Sequence, residues 1–500
     1  MVAKKPRVVI VGAGMAGLAA AQRLCDAGGN RFDVTVVEAG ARAGGRVLTS
    51  EFAGHRVEMG ATWVQGIVGS PVYALARDAG ALDPDPDGDG SLVPHERMDG
   101  FPDRVLTVAE GGAVVDEDRV AKPVEDLYRG MMDAARAGEA TGGGVGVEEY
   151  LRRGLKIYQA ARHGGGEEEV EEALLGMHIN RERTDTSADD LGDLDLAAER
   201  EYRDFPGDHV TIPGGYSRVV DRLVALLPPG TVRLGLQLRR LEWGRTPMRL
   251  HFADGDAPAF EADHVIVTVS LGVLKASCCL GGKQDAAGGI AFDPPLPQFK
   301  REAVARLGFG VVDKLFIEVE AVEPPGQEGG EGEPPPVDFP FLHMAFRARR
   351  HVSKAPWWMR GTESICPVHG GSRVALAWFA GREAEHLESL PDDEVVRGVH
   401  ATLDAFLPAS RWRVKRVKRS AWAADPLFLG SYSYVAVGSS GEDLDTMAEP
   451  LPHADGGHDE RPLRVLFAGE ATHRTHYSTT HAAYPSGVRE ADRLLQYYSR

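Results

Sequence analysis

The sequence has few cysteines, no long apolar run and no excess of positive charge. Four of the 500 residues are cysteine, and their spacing fits neither a disulfide framework nor a metal site. No apolar run is long enough to span a membrane, and the N-terminal MVAKKP leads directly into a strand pattern without a signal peptide. The last residues do not form a peroxisomal signal. These absences favour a cytosolic protein with reduced thiols.

The charge balance restricts the class of partner. The chain has 56 basic and 74 acidic residues, a net charge of −18 at pH 7. This excess of acid argues against nucleic acid or an anionic membrane as the main partner, and it suits a cationic ligand. Solubility alone would explain the same charge. The length suits two domains, and 43% hydrophobic residues are enough to fill their cores.

A glycine-rich turn lies between two predicted strands near the N-terminus. The apolar run Arg7–Val11 predicts a buried strand, and apolar residues at helical spacing predict a helix over Met15–Ala27. Between them is a G-x-G-x-x-G motif, and a second strand over Asp33–Glu38 ends in an acidic residue. This order predicts a βαβ unit that binds a dinucleotide. The alternative is an ordinary βαβ unit without a ligand.

Each residue of the motif has a physical role. Gly12 allows the tight turn, Gly14 lets the backbone approach a pyrophosphate, and Gly17 lets the helix pack closely on the strand. The N-terminus of the helix offers free N–H groups and a positive dipole end to the phosphates. Glu38 is placed to accept hydrogen bonds from a ribose.

The residues after the acid indicate which dinucleotide binds. The run from Glu38 to Arg46, EAGARAGGR, resembles the extended fingerprint of flavin-dependent amine oxidases and their relatives. In that superfamily the second arginine, here Arg46, reaches the phosphate region of the cofactor, and its guanidinium group complements a pyrophosphate. The resemblance implies FAD rather than a nicotinamide. It also implies non-covalent attachment, since no cysteine lies near Gly469–Gly487.

Other segments carry the same resemblance along the chain. The family segment that passes the flavin ring is similar to Gly60-Ala61-Thr62-Trp63, and the predicted strand Val232–Leu241 places Leu238 where the family contacts adenine through its backbone. Lys314 follows LGFGVVD, the family context for a lysine beside water at flavin N5. Further cofactor residues implied by the resemblance are Trp422, Gly469, Glu470, Thr480, His481 and Ala482.

The substrate side is implied by three residues. Tyr432 matches the family aromatic that guides the amine, and Thr480 lies at the start of the last helix. The best-known polyamine oxidases carry an acid or a histidine where this chain has Gln65. A glutamine can form a hydrogen bond with an amine but supplies no charge.

The resemblance to flavin-dependent polyamine oxidases implies the fold. We expect an α/β FAD-binding domain of the Rossmann type (GR2-like) and an α+β substrate domain with a mixed sheet flanked by helices. Residues 1–82, 208–276 and 418–500 would form the first, and 83–207 and 277–417 the second. By composition, Asp83–Pro94 predicts a linker and Glu323–Val337 a low-complexity insertion.

The resemblance also implies a reaction. A polyamine such as spermine or thermospermine would be oxidised beside a secondary amine, giving a shorter polyamine such as spermidine, an aminoaldehyde and hydrogen peroxide, with oxygen as acceptor. The run Tyr477–Ala483 is similar to members, including intracellular plant enzymes, that convert longer polyamines back to shorter ones. Another flavin amine oxidase, a desaturase, a histone demethylase relative and a non-catalytic flavin-binding protein are the alternatives.

An acidic patch between residues 185 and 195 has two interpretations. It would be an entrance for a polycation, or a plain acidic surface, and the overall composition favours the surface. Its members are Asp185, Asp189, Asp190, Asp193 and Asp195.

Overall fold

A computed structural model gives the fold of most of the chain. The residues it describes are 5–28, 31–82, 105–140, 144–162, 166–253, 259–279, 288–322, 338–347, 353–408, 412–452 and 462–499. The predicted linker Asp83–Pro94 and the low-complexity segment Glu323–Val337 lie outside these residues.

The helices are distributed along the described parts of the chain. Within the described ranges they are α1 (Met15–Gly28), α2 (Pro71–Asp78), α3 (Lys122–Arg136), α4 (Val147–Ala161), α5 (Glu168–Thr186), α6 (Ser217–Ala225), α7 (Leu271–Cys279), α8 (Gln298–Arg306), α9 (Gly381–Ser389), α10 (Asp392–Phe406), α11 (Gly441–Ala448) and α12 (Thr480–Tyr497). No helix in this part of the chain has the length and apolar character needed to cross a bilayer.

The strands are short except for β14, which crosses the larger sheet. In chain order they are β1 (Arg7–Val11), β2 (Asp33–Val37), β3 (Thr49–Phe52), β4 (His55–Glu58), β5 (Leu106–Ala109), β6 (Ala113–Val114), β7 (Val232–Arg233), β8 (Leu238–Glu242), β9 (Met248–Phe252), β10 (Phe260–Ala262), β11 (His264–Val267), β12 (Ala291–Asp293), β13 (Gly308–Gly310), β14 (Val312–Ala321), β15 (Leu342–Ala345), β16 (Ser364–Pro367), β17 (Val374–Ala380), β18 (Trp412–Arg419), β19 (Tyr432–Tyr434) and β20 (Val465–Phe467).

A five-stranded parallel sheet in the order β20-β11-β1-β2-β7 carries the glycine motif. Its central strands are mostly apolar because both faces are covered. Val8 and Ile10 face a core shared with α1, α6 and α12, whereas Val9 and Val11 face a second core shared with α7, α8 and the antiparallel strands β8 to β10. Helices α1 and α12 touch, since a Cβ on Gly487 would lie 2.0 Å from the carbonyl oxygen of Ala16.

A seven-stranded mixed sheet in the order β18-β14-β17-β16-β15-β5-β6 forms the second part. The β15–β5 pair is parallel and its other pairs are antiparallel. Helices α9 and α10 cover one core of this sheet, and α3, α4 and α5 bury a separate core against β5 and β15. The predicted pairing of an α/β dinucleotide-binding part with a mixed, helix-flanked α+β part is confirmed.

One predicted strand is wrong in its extent. The segment expected as one strand over Val232–Leu241 forms two, β7 and β8, which belong to different sheets. The break falls at Gly235, whose φ of +75° is in the left-handed region that ends regular strand geometry. Leu238 therefore begins a new strand and is buried, with 5% of its surface exposed.

Candidate active site

A cavity of about 1010 Å³ lies between the two sheets. The carboxyl ends of β1, β2, β11 and β20 open onto it from one side, and residues of β5, β14, β15, β16 and β17 line the other. In an open parallel sheet, ligands bind outside the carboxyl ends of the strands. Pockets for a single small ligand measure roughly 300–1,000 Å³, so this one has room for a large cofactor and a second molecule.

The glycine motif has the geometry that dinucleotide binding requires. Gly12 has φ +107°, and a Cβ there would lie 2.5 Å from Thr268 Oγ1. A Cβ on Gly17 would lie 1.9 Å from the Gly12 carbonyl oxygen, so only glycine lets α1 pack this closely on β1. At Gly14 a Cβ would meet nothing closer than 4.0 Å, and this residue lines the cavity. The open space is where a phosphate would approach the backbone.

Glu38 follows β2 at the edge of the cavity. Its carboxylate accepts hydrogen bonds from the backbone N–H groups of Ala13 (2.7 Å) and Gly40 (2.8 Å). Both partners are donors, which fits an ionised carboxylate. The side chain is thereby held beside the glycine turn, and its remaining lone pairs can accept hydrogen bonds from a ribose.

The two arginines of the extended fingerprint have different roles. The Arg42 guanidinium donates to the carbonyl oxygens of Ala43, Gly45 and Val47 and so shapes the loop. Arg46 instead lines the cavity, and its Nη1 lies 3.0 Å from Glu470 Oε1. Arg42 therefore supports the backbone of the loop, and Arg46 presents its charge to the cavity.

Glu470 is fixed by donors from three residues at the carboxyl end of β20. Besides Arg46, its carboxylate accepts from Ser433 Oγ (2.5 Å) and from the backbone N–H of Ser478 (2.9 Å). Gly469 precedes it with φ +132°, and both residues line the cavity. This network connects the five-stranded parallel sheet to β19.

Lys314 is the most unusual polar residue of the cavity wall. It lies on β14 with 2% of its surface exposed, and its Nζ donates to the carbonyl oxygens of Glu58 and Gly60, each at 2.6 Å, and to Thr62 Oγ1. Its Nζ also lies 4.3 Å from the centre of the Trp378 ring. Three acceptors and an aromatic face suit an ammonium group. Burial lowers the pKa of Lys314 to about 7, and the charge of Glu58 opposes that shift.

Aromatic residues form much of the wall near Lys314. Trp422 is buried and its indole N–H donates to the carbonyl oxygen of Met59 at 3.1 Å. The Tyr432 hydroxyl donates to the carbonyl oxygen of Thr184, and Trp63 and Trp378 complete the wall. Flat rings of this kind shape a slot for an alkyl chain and attract cations.

Most of the predicted site residues come together around this cavity. Its lining includes Gly12, Gly14, Glu38, Arg46, Gly60, Ala61, Thr62, Trp63, Gln65, Leu238, Lys314, Trp422, Tyr432, Gly469, Glu470 and Thr480. Gly60 lies so close to the Arg46 carbonyl oxygen that a Cβ on this residue would be 1.8 Å from it. Gln65 lies 3.4 Å from the hydroxyl of Tyr202.

Three predicted residues do not line the cavity, and one of them is Gly17, whose predicted role is the close packing of α1 on β1. His481 and Ala482 are buried in the first turn of α12, and the side chain of His481 packs beside Phe205. Burial, together with the nearby His476, lowers the pKa of His481 to about 4, so the ring is neutral. The Ala482 N–H is taken by the side chain of Thr479, which caps the helix. Thr480 and Ala483 line the cavity in their place.

The predicted acidic patch separates into residues with different surroundings. Asp190 and Asp193 are exposed, as the surface interpretation expects. That interpretation is wrong for Asp195, which is buried and accepts from the N–H groups of Ala197 and Ala198. Asp185 is exposed as well, but its side chain faces the cavity at the end of α5, as the entrance interpretation expects.

Asp185 belongs to a carboxylate cluster that the sequence motifs miss. We call Glu182, Asp185 and Glu199 the carboxylate cluster; all three line the cavity. Arg136 lies 3.7 Å from both glutamates, and Tyr128 donates to Glu182 at 2.5 Å. Burial, followed by the repulsion of Glu182, raises the pKa of Asp185 and of Glu199 to about 7.

The residues of the dinucleotide-binding side fit FAD. The glycine turn leaves space for a pyrophosphate, Glu38 presents acceptors to a ribose, and Arg46 presents a positive charge in between. The wall then continues through Gly60 to Trp63 toward Lys314, where the flavin ring of FAD would lie. The second sheet and the carboxylate cluster close the remaining space, which a substrate would occupy.

Comparisons with known proteins agree with this geometry. Polyamine oxidase 1 of Oryza sativa subsp. japonica is 77% identical over 100% of this chain and 98% of its own length. The peroxisomal N(1)-acetyl-spermine/spermidine oxidase of Homo sapiens is 37% identical over 99% of this chain and 96% of its length. A solved putrescine oxidase shares the fold, with a TM-score of 0.65, 18% identity and 99% of each chain covered. The flavin-containing amine oxidoreductase family matches residues 15–495. This chain therefore belongs to that family, and its cofactor is FAD.

Proposed function

We propose that this protein is a polyamine oxidase that acts on long polyamines such as spermine or thermospermine. FAD, when bound, would supply the acceptor for a hydride from a carbon beside a secondary amine and would pass the electrons to oxygen, giving hydrogen peroxide. Hydrolysis of the resulting imine gives an aminoaldehyde and a shorter polyamine such as spermidine. The polyamine oxidase named above supports the general activity, and the cavity supports the preference for long substrates.

The observation that carries this preference is the charge of the cavity beyond Tyr432. Among the described residues of that lobe, six carboxylates face three guanidinium groups. The acidic members are Glu117, Glu125, Glu182, Asp185, Glu199 and Glu363, and the basic members are Arg129, Arg136 and Arg181. A net negative lobe at the end of an aromatic slot suits a chain with protonated amines along its length.

Lys314 and the carboxylate cluster give the substrate a direction. The ammonium group of Lys314 disfavours a second cation beside it, so the amine nearest to it binds without a proton and keeps the lone pair that hydride loss requires. An amine further along the chain stays protonated and pairs with Asp185. The charge of Lys314 also favours the reduction of oxygen, because oxygen gains negative charge in that step.

The first experiment is anaerobic mixing of the purified holoenzyme with spermine, thermospermine, spermidine and a monoamine, followed by flavin absorbance. Rapid bleaching by the tetraamines, with spermidine and an aminoaldehyde as products, is the expected result. A visible flavin spectrum that none of the amines bleaches would contradict the proposal, and bleaching by the monoamine alone would move the activity to another amine oxidase.

A substitution tests the carboxylate cluster directly. Asp185→Asn removes one charge from the wall and should raise the KM for spermine by about tenfold, roughly 1.4 kcal/mol, with kcat little changed. The matched control is Asp190→Asn, since Asp190 lies five positions further on, is exposed and does not line the cavity. Equal KM values for the two variants would remove Asp185 from substrate binding.

The cellular location is also a proposal. The sparse, unpaired cysteines lead us to propose that the enzyme acts in the cytosol. Fluorescence microscopy of the full chain with a tag at either end would test this, and an organellar pattern for both fusions would contradict it.

A further inference from the structure

Lys314 has a buried counter-charge that no sequence motif indicates. Glu58, at the end of β4, is 5% exposed, and its backbone carbonyl oxygen accepts one of the three hydrogen bonds from Lys314 Nζ. Its carboxylate lies outside the cavity wall, so it does not touch the substrate. Glu58 can therefore influence the reaction only through its neighbours.

The partners of the Glu58 carboxylate are all donors. It accepts from the backbone N–H of Tyr216 at 2.8 Å and from the hydroxyl of Thr49 at 2.9 and 3.0 Å. The Tyr216 hydroxyl in turn shares a hydrogen bond with Thr480, at the start of α12. Burial raises the pKa of Glu58, and the hydrogen bond from Tyr216, the charge of Lys314 and the hydrogen bond from Thr49 oppose that shift and favour the ionised carboxylate.

Other charges near Lys314 are paired elsewhere. On β14 itself, Asp313 accepts a hydrogen bond from Ser420 and lies near Glu388. On β18, Arg419 pairs with Asp392. Lys418, also on β18, donates to Ser50 and to the backbone of Glu51. The neighbour from β17 is the uncharged Trp378. Within the described part of the chain, Glu58 is the charge that acts on the Lys314 amine.

We propose that Glu58 is a positioning residue that keeps the Lys314 amine protonated at the cavity wall. Its carboxylate compensates the cost of burying the ammonium group, and its carbonyl oxygen aims that group. The inference rests on the role proposed above for Lys314. It adds that the enzyme loses this cation at a lower pH when Glu58 carries no charge.

The test compares Glu58→Gln, Lys314→Met and the double variant with the wild-type holoenzyme. Glutamine keeps the acceptor for Tyr216 and the shape of the side chain, so folding and FAD content should be retained. Glu490→Gln is the matched control, because Glu490 is also a buried carboxylate near a buried lysine, Lys300, but away from the cavity. Thr49→Val is a second variant that removes one donor from Glu58.

The first readout is the midpoint potential of the bound flavin against pH, measured without substrate. The wild type should show an inflection near pH 7, where Lys314 titrates. In Glu58→Gln the inflection should move down by about one pH unit, and in Thr49→Val by less. It should be absent from both variants that lack Lys314 and unchanged in Glu490→Gln. An unshifted inflection in Glu58→Gln would overturn the inference.

The second readout is the rate of flavin reoxidation by oxygen. At pH 7, Glu58→Gln should slow it several-fold, and should have no further effect once Lys314 is methionine. An equal slowing in both backgrounds would show that Glu58 acts independently of Lys314 and would overturn the inference. If the flavin of Lys314→Met is reoxidised as fast as that of the wild type, the role proposed for Lys314 in oxygen reduction is wrong. The midpoint potential of the flavin then still shows whether Glu58 and Lys314 are coupled.

Discussion

Two lysines are buried in different regions of this molecule, with surroundings that look alike. Lys300 on α8 and Lys314 on β14 are 0% and 2% exposed. Each donates to three oxygen acceptors, each has an aromatic ring within 4.5 Å of its Nζ, and burial lowers the pKa of both to about 7. A search for perturbed lysines would select them equally.

The difference lies in what the acceptors belong to. Lys300 donates to the carbonyl oxygens of Thr446, Met447 and Glu449, at and just beyond the end of α11. It does not line the main cavity, whereas Lys314 does. A lowered lysine pKa therefore reports burial, and only access to a ligand separates a helix cap from a candidate catalytic group.

The strongest way to break this comparison is to remove each charge in turn. Lys314→Met should slow flavin reoxidation about 10³-fold, since it removes a preorganised charge from the cavity. Lys300→Met should leave the rate per bound FAD within about twofold, because the residue is outside the cavity. Stopped-flow mixing of reduced enzyme with oxygen measures both. Similar rates for the two variants would contradict the distinction.

The second effect is on stability. Lys300→Met removes the lysine donor from three carbonyl oxygens at the end of α11 and should lower the free energy of unfolding by about 3 kcal/mol. Denaturant titration of the FAD-bound protein measures it. The control is Arg301→Met, an exposed neighbour on the same helix, with an expected change within about 0.5 kcal/mol. A loss for Lys300→Met no larger than for this control would show that the cap is dispensable.

The third effect is the pH dependence of stability. The pKa of Lys300 falls from 10.5 to about 7 on folding. Between these values the unfolded chain binds one more proton than the folded chain, so this lysine makes stability rise with pH, and its penalty is complete below pH 7. The slope should fall by up to about 1.4 kcal/mol per pH unit in Lys300→Met. Denaturant titrations between pH 7 and 10 check this, and parallel curves for the two proteins would contradict it.

The sequence predicts the dinucleotide-binding side better than the substrate side. Gly12, Gly14 and Glu38 belong to one β–α–β unit, β1-α1-β2, which fixes their relative positions. Local spacing therefore carries the geometry. The residues that the structure moves out of the cavity, His481 and Ala482, lie in the first turn of a helix, where a single position decides which way a group points.

The substrate side depends on contacts between distant segments. Trp378 reaches Lys314 because β14 and β17 pair in a register that places the two residues opposite each other, and no local pattern encodes that register. The carboxylate cluster draws Glu182 and Asp185 from α5 and Glu199 from the following turn. Charged residues occur around the last turns of α5, so periodicity does not show which of them face the cavity.

The order of strands in the parallel sheet has a consequence for biosynthesis. The strand beside β1 on one side is β2, but on the other side it is β11, followed by β20, from residues 264–267 and 465–467. A ribosome must therefore release more than four hundred residues after β1 before the sheet can close and α12 can pack on α1. Until then the nascent N-terminal segment has an unpaired strand edge and an uncovered apolar face, a species prone to aggregation that chaperones would bind. The FAD site can be complete only after β20 and the start of α12 have been released, because Glu470 and Thr480 line it.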